Sequence, residues 1–157
     1  MVEALPTLDE TDLRILRAYQ REPDLTMAAL ADRVGLSHTP CWRRLRRMEE
    51  RGTIAGRSLV VNASHLGFDV TVISEITLKQ HDAPTLTAFE EAVQAHPQIV
   101  ECFSMSGESD YLIHVIVRSI AEYEQMLKTV LVQIPGVGSI NSRFALNRIK
   151  FTTNVPL

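Results

Sequence analysis

Apolar positions recur with the period of an α-helix over the first fifty residues, and later in the chain with a period of two as well as 3.6. Leu13, Ile15, Leu16 and Tyr19 follow the acidic start Asp9-Glu10, which suits a helix N-terminus, and predict a first helix over 8–20 that Pro23 breaks. Thr26 caps a second segment in which Met27, Leu30, Ala31 and Val34 fall at i, i+3, i+4 and i+7. Cys41, Leu45 and Met48 form one narrow stripe of a third helix. Ser37 is its expected N-cap, Pro40 sits in the first turn where a missing N–H costs little, and Gly52 closes it. Only Gly35-Leu36-Ser37 separates the second helix from the third, a helix-turn-helix arrangement of the winged-helix type, whose last helix enters the major groove.

After Gly52 the β-prone run Thr53 to Asn62 predicts a hairpin-like connection and a strand leading out of the first unit. Alternation then takes over. Val70, Val72, Ile76 and Leu78 share one side of a strand, and Thr71, Glu75 and Thr77 the other. A helix is predicted over 84–95 with Leu86, Phe89 and Val93 inward, then strands over 99–106 and 111–117. Ser119-Ile120-Ala121-Glu122 matches a capping box that opens a helix through Val132, Pro135-Gly136 ends it, and a fourth strand runs over 137–146. The order βαββαβ is the ferredoxin-like, ACT-like arrangement with two helices on one face of an antiparallel sheet. The expected class is therefore α+β. A DNA-binding domain occupies 1–57, a linker 58–68, and a ligand-binding and oligomerisation domain 69–157.

Charge sharpens this division. The whole chain carries -3, but residues 1–57 hold ten Arg against nine acidic residues, and residues 58–157 hold six Lys and Arg against ten. From His38 to Arg51 five Arg face two Glu, the local field to which a phosphate backbone responds. Helical projection turns Arg43, Arg46 and Arg47 away from the apolar stripe, sets Arg44 and Arg51 on the flank, and puts Trp42 at the edge of the packing. Ser37, His38, Thr39, Arg43, Arg44, Arg47 and Arg51 are the expected DNA-contacting residues. A metabolite-sensing module without DNA binding would leave this Arg-lined helix without a role.

Other chemistry is not signalled. Asp110, Tyr111 and His114 are the nearest to a catalytic group, and no nucleophile, base and orienter accompany them, nor any phosphate loop. His65, His81 and His96 are scattered without ligand spacing, and Cys41 and Cys102 form no C-x-x-C pair, so neither metal nor redox chemistry is expected. No apolar run approaches the ~18 residues of a membrane span, and the first residues lack a secretory pattern, so a cytoplasmic protein is expected. The strand Tyr111 to Val117 is apolar on both alternating sets apart from His114, whereas two helices cover one sheet face. A second copy of the same sheet is the economical cover, and a two-fold dimer sets two reading helices on one face of DNA. In the turn before that strand, Gly107 permits a tight loop whose N–H groups hold a carboxylate, and Asp110 can hold an ammonium group, a pair suited to an α-amino acid.

Four motifs together resemble one family. Leu8-Asp9-x-x-Asp12-x-x-Ile15-Leu16, the run Ser37 to Leu45, Gly52-x-Ile54 and Gly107-Glu108-Ser109-Asp110-Tyr111 are similar, in order and spacing, to the leucine-responsive/asparagine-operon (Lrp/AsnC) regulators. The resemblance implies a transcription factor that assembles as dimers and often octamers and is modulated by a small molecule, usually an amino acid. It also implies that Gly107, Ser109, Asp110 and Tyr111 line the effector pocket. The chain departs from the family pattern at His38, often Pro, and at Trp42, often aliphatic, which bears on DNA sequence preference rather than fold. Thr39-Pro40-Cys41-Trp42 resembles a branch that includes a cysteine-responsive regulator, making a sulfur amino acid a conceivable effector.

Overall fold

The computed structural model describes residues 7–157. They divide into two compact units, one formed by residues up to Val60 with Lys150–Leu157 and the other by Val61–Ile149. The last eight residues, expected with the second domain, thus cluster with the first. The Gln20 side-chain amide explains why: it donates to the Val155 carbonyl at 2.9 Å and accepts from the Val155 N–H at 3.0 Å.

The first unit is built on three helices, α1 (Glu10–Arg21), α2 (Met27–Val34) and α3 (His38–Glu50). Asp9 caps α1 through a full capping box in which its carboxylate accepts from the Asp12 N–H at 2.8 Å and the Asp12 carboxylate accepts from the Asp9 N–H at 3.3 Å. Gly35, at φ 69°, reverses the chain between α2 and α3, a left-handed conformation that favours glycine. Ile15, Leu30, Cys41, Leu45 and Met48 are almost wholly buried and form the centre of the core. At roughly 1.5–3 kcal/mol for each large side chain removed from water, this core holds the three helices together.

Residues 53–62 form neither the predicted hairpin nor a strand. Leu59, Val60 and Val61 remain 87%, 66% and 55% exposed, and β propensity without a neighbouring edge to pair with does not make a strand. After a single 3-10 turn at Ser64–Leu66 come β1 (Val70–Leu78), α4 (Ala83–Ala95), β2 (Ile99–Ser104), β3 (Tyr111–Val117), α5 (Ile120–Thr129) and β4 (Val137–Phe144). The sheet is antiparallel in the order β2-β3-β1-β4. Its central strands set Val72, Ile76, Ile113 and Val115 against Phe89 and Val93 of α4 and Tyr123 and Met126 of α5, the predicted ferredoxin-like arrangement.

Three boundaries shift, and β2 is the first, ending at Ser104 rather than at 106. α5 stops at Thr129 and is followed by a 3-10 turn at Leu131–Gln133, and β4 ends at Phe144, leaving Leu146 fully exposed. The capping box at Ser119 is half formed: its hydroxyl accepts from the Glu122 N–H at 3.1 Å, but the Glu122 carboxylate reaches the Arg118 N–H at 2.7 Å. On the sheet face away from the helices lie Ile73, Leu112, His114 and Ile116, with an Arg143–Glu75 ion pair at 2.7 Å on the β4 side and Glu101 on β2.

Candidate nucleic-acid interface and effector turn

Helix α3 presents its N-terminus and one long face to solvent. Ser37 occupies the N-cap position with extended backbone, but its hydroxyl makes no capping bond. The first-turn N–H groups of α3 are therefore left for an external acceptor, and a phosphate is the natural one at a helix N-terminus. Ser37, His38 and Thr39 are all exposed there. Along the outer face, Trp42 is 47% exposed, Arg43 is exposed, and Arg46 makes only long contacts to Glu49 and Glu50, at 3.6 Å and 3.9 Å. The guanidinium groups of Arg43 and Arg51 are exposed and make no ion pair with any described residue.

Arg47, expected on the outer side, and Arg44, expected on the flank, are both turned from DNA-facing positions. Both turn toward the start of α1. Arg44 donates to Asp9 at 2.5 Å and to Asp12 at 2.8 Å, and Arg47 donates to the two Asp12 oxygens at 2.8 Å and 3.0 Å. Asp12 is 1% exposed, so these arginines neutralise a buried carboxylate as they seat α3 on α1. Arg44 holds the Asp9 carboxyl below the usual aspartate range, with the Asp12 amide adding to it. Helical projection does not reveal this clamp, although Asp9-x-x-Asp12 at the start of α1 and Arg44-x-x-Arg47 on α3 are complementary pairs at the same spacing.

The turn between β2 and β3 brings the expected effector residues together. Gly107 adopts φ 127°, the Met105 N–H donates to the Asp110 carbonyl at 2.8 Å, and the Asp110 N–H donates to the Ile76 carbonyl at 2.9 Å. The Asp110 side chain is already engaged: one oxygen accepts from the Leu78 N–H at 2.7 Å and the other lies 2.8 Å from His81 Nε2. The Leu78 amide first, and then His81, keep its carboxyl below the ordinary aspartate range. Each oxygen retains a second lone pair, so the group can accept from an ammonium only while also tying the turn to the end of β1. The Tyr111 hydroxyl donates to Glu90 at 2.9 Å; burial, with Glu90 adding to it, pushes Tyr111 up to about 12. Ser109 is half-buried in the same turn.

Comparison with known proteins interprets both sites. Residues 8–55 match the model of a winged helix-turn-helix DNA-binding domain, and residues 71–155 match that of the Lrp/AsnC ligand-binding domain. The chain belongs to the Lrp/AsnC family. This Lrp/AsnC regulator is 38% identical to the Bkd operon transcriptional regulator of Pseudomonas aeruginosa, over 96% of this chain and 98% of that one. Among solved structures it is similar to an AsnC family transcriptional regulator from Agrobacterium tumefaciens, with 40% identity, 95% and 97% coverage and a TM-score of 0.90. It is also similar to a Neisseria meningitidis transcriptional regulator solved as an L-Met complex, with 29% identity, 96% and 97% coverage and a TM-score of 0.91. Family and fold are those of a DNA-binding regulator with a ligand-binding domain, not of an enzyme. Among the described residues no cluster of His, Cys, Asp and Glu could hold a metal, and no helix is long and apolar enough to cross a membrane.

Proposed function

We propose that this Lrp/AsnC regulator reads operator DNA with the N-terminus and outer face of α3, using Ser37, His38, Thr39, Arg43 and Arg51 directly and Arg44 and Arg47 through the seating of the helix. The observation that carries this reading is Arg43, whose guanidinium pairs with no described residue and lies midway along the exposed face of a helix whose N-cap side chain makes no capping bond. An Arg that pairs bidentately with guanine contributes about 1–3 kcal/mol of discrimination, whereas one that meets only phosphate weakens all sites alike and lowers the salt slope by about one. DNA fragments that co-purify with the full chain supply the probe. Anisotropy titrations of Arg43→Ala at several salt concentrations should show one of these two signatures, and unchanged affinity and slope would remove Arg43 from the interface.

The chain associates through the open sheet face, as a dimer and in higher assemblies up to an octamer, with residues 58–68 as the connector. His114 supports this: it is 9% exposed, its Nδ1 lies 2.8 Å from Glu101, and its buried Nε2 has no partner among the described residues. Buried polar groups are normally satisfied, and an apposed protein surface can supply the missing acceptor or donor. The effector is an amino acid bound at the Gly107–Tyr111 turn, a reading supported by the L-Met complex of the Neisseria relative. Calorimetry with a panel of amino acids tests it. Asp110→Asn should weaken binding, since a charge-assisted bond becomes neutral, and leave ligand-free DNA affinity nearly unchanged. Absence of binding by every amino acid would end the sensing role.

A further inference from the structure

The outer face of α1 carries a cationic groove whose lining holds none of the residues assigned above to DNA reading or effector binding. Asp12, Ile15 and Tyr19 point from α1 into the core, which leaves Arg14, Arg17 and Arg21, at i, i+3 and i+7, on the opposite side. Two cavities meet at this ridge. One, of about 520 Å³, is walled by Arg14, Arg17, Ala18 and Arg21 with Arg33 and Val34 of α2. The other, of about 270 Å³, shares Arg17 and Arg21 and is closed by Lys150, Val155, Pro156 and Leu157. The C-terminal segment that forms its wall is fixed to α1 by the paired Gln20–Val155 hydrogen bonds.

Not all of these cations are balanced. Arg17 pairs with Glu10 at 2.7 Å, and Arg33 grips both oxygens of Glu22 at 2.6 Å and 3.2 Å. Arg14 donates to the Thr11 hydroxyl at 3.2 Å, and Arg14, Arg21 and Lys150 have no carboxylate partner among the described residues. Three cations without a carboxylate partner among the described residues favour a multiply charged anion. Beside them lie exposed apolar side chains, Val155 at 60% and Leu157 at 44%, and the carboxylate of Asp32 stands in the wall. Asp32 repels a phosphodiester and an acidic side chain alike, so the apolar rim is what separates them: a peptide can set acidic side chains on the arginines and rest apolar ones on the rim, from which a phosphodiester backbone gains nothing. The groove runs to Gly35, at the turn into α3, so the duplex arm of the test below separates peptide docking from DNA contact.

We propose that this groove docks an acidic, partly apolar peptide segment of a partner protein. Arg14 and Arg21 are about 10 Å apart along the helix axis, a span that carboxylates three residues apart on an extended strand, or two turns apart on a helix, can bridge.

The test uses the full chain and a labelled twelve-residue peptide of Glu with Leu at every fourth position, beside the same peptide with Gln for Glu and a non-operator duplex. The acidic peptide should bind with salt-dependent affinity and the Gln peptide at least about ten-fold more weakly. Arg14→Glu/Arg21→Glu should lose about ten-fold in peptide affinity, and Lys150→Glu about three-fold, with operator affinity held within about two-fold. Arg14→Gln/Arg21→Gln, which removes charge without repulsion, should show an intermediate loss at an unchanged melting temperature. The proposal falls if the acidic peptide does not bind, if the charge-altered chains bind it like the native one, or if the substitutions weaken duplex binding instead.

Discussion

Replacing Asp12 by Asn tests whether α3 is aimed by the clamp or merely decorated by it. The native carboxylate accepts charge-assisted bonds from Arg44 at 2.8 Å and from Arg47 at 2.8 Å and 3.0 Å while 1% exposed. Hydrogen bonds to charged groups contribute about 1.5–3 kcal/mol each, and breaking a fully buried ion pair costs about 3–5 kcal/mol. Here the two guanidiniums keep 28% and 43% of their side-chain surface in water, so solvent recovers part of what the amide forfeits. The expected loss is about 1–3 kcal/mol, and at roughly 4–8 °C per kcal/mol for a domain this small the transition of the helical unit should drop by about 5–20 °C. Circular dichroism at 222 nm reads the melt, and calorimetry separates the two units if they unfold apart. The second readout is electrostatic: two released guanidiniums should steepen the salt dependence of non-specific DNA binding by at most about 1.8 in log–log slope. A double-mutant cycle with Arg47→Ala isolates the pair. If Asp12→Asn melts like the native chain, or if Arg47→Ala abolishes operator binding without any loss of stability, the clamp is not the role of these residues and Arg47 belongs at the DNA.

Three further outcomes are expected. Leu112→Glu puts a charge on the open sheet face beside Ile73 and His114 and should convert the assembly to folded monomer at micromolar concentration by light scattering; an unchanged mass would show that the face is not the interface. Tyr111, pushed up to about 12 in the fold and near 10 when unfolded, is held neutral by the native state, so its contribution to stability is complete below pH ~10 and lost as pH rises toward 12. Chemical denaturation across this range should show that decline, and Tyr111→Phe should flatten it. Trp42 is the one tryptophan of the chain and sits 47% exposed on α3, so operator DNA should shift its emission, whereas a bound amino acid without DNA should not.

Much of this architecture was legible because burial obeys a period. The stripe Cys41, Leu45, Met48 is at 0%, 2% and 1% exposure, and the two alternating sets of β3 fall on the faces their parity dictates. Parity also left Ser74 unexplained on the buried side of β1; there it meets Tyr123 and Ser142 in a ring of hydroxyls with contacts of 2.8 Å, 3.1 Å and 2.5 Å. Periodicity fixes the direction of a Cβ but not the end of a long side chain. Arg44 on the flank of α3 and Arg47 on its outer side both bend to the carboxylates of α1, a choice made by a neighbour that a helical projection does not contain. The clustering of the C-terminal residues with the first unit is illegible in the sequence for a related reason: Val155 is held by backbone groups bonding one glutamine amide, which leaves no hydrophobic pattern to read.

The clamp bears on how a ligand at the Gly107–Tyr111 turn can act. A ligand shifts an equilibrium only by its difference in affinity between states, so regulation requires an element with two arrangements. Helix α3 is a poor candidate, being seated by Asp9 and Asp12 and by three almost fully buried side chains. The turn is a better one. Asp110 fastens it to Leu78 and His81, and Tyr111 fastens it to Glu90 of α4, so a ligand ammonium competing for Asp110 must either share these bonds or loosen them. Loosening alters the end of β1 and the loop into α4 but leaves α3 rigid. On the proposed reading of the turn as the effector site, sensing would act on which assembly forms, and so on the spacing between reading helices, with the shape of each helix unchanged.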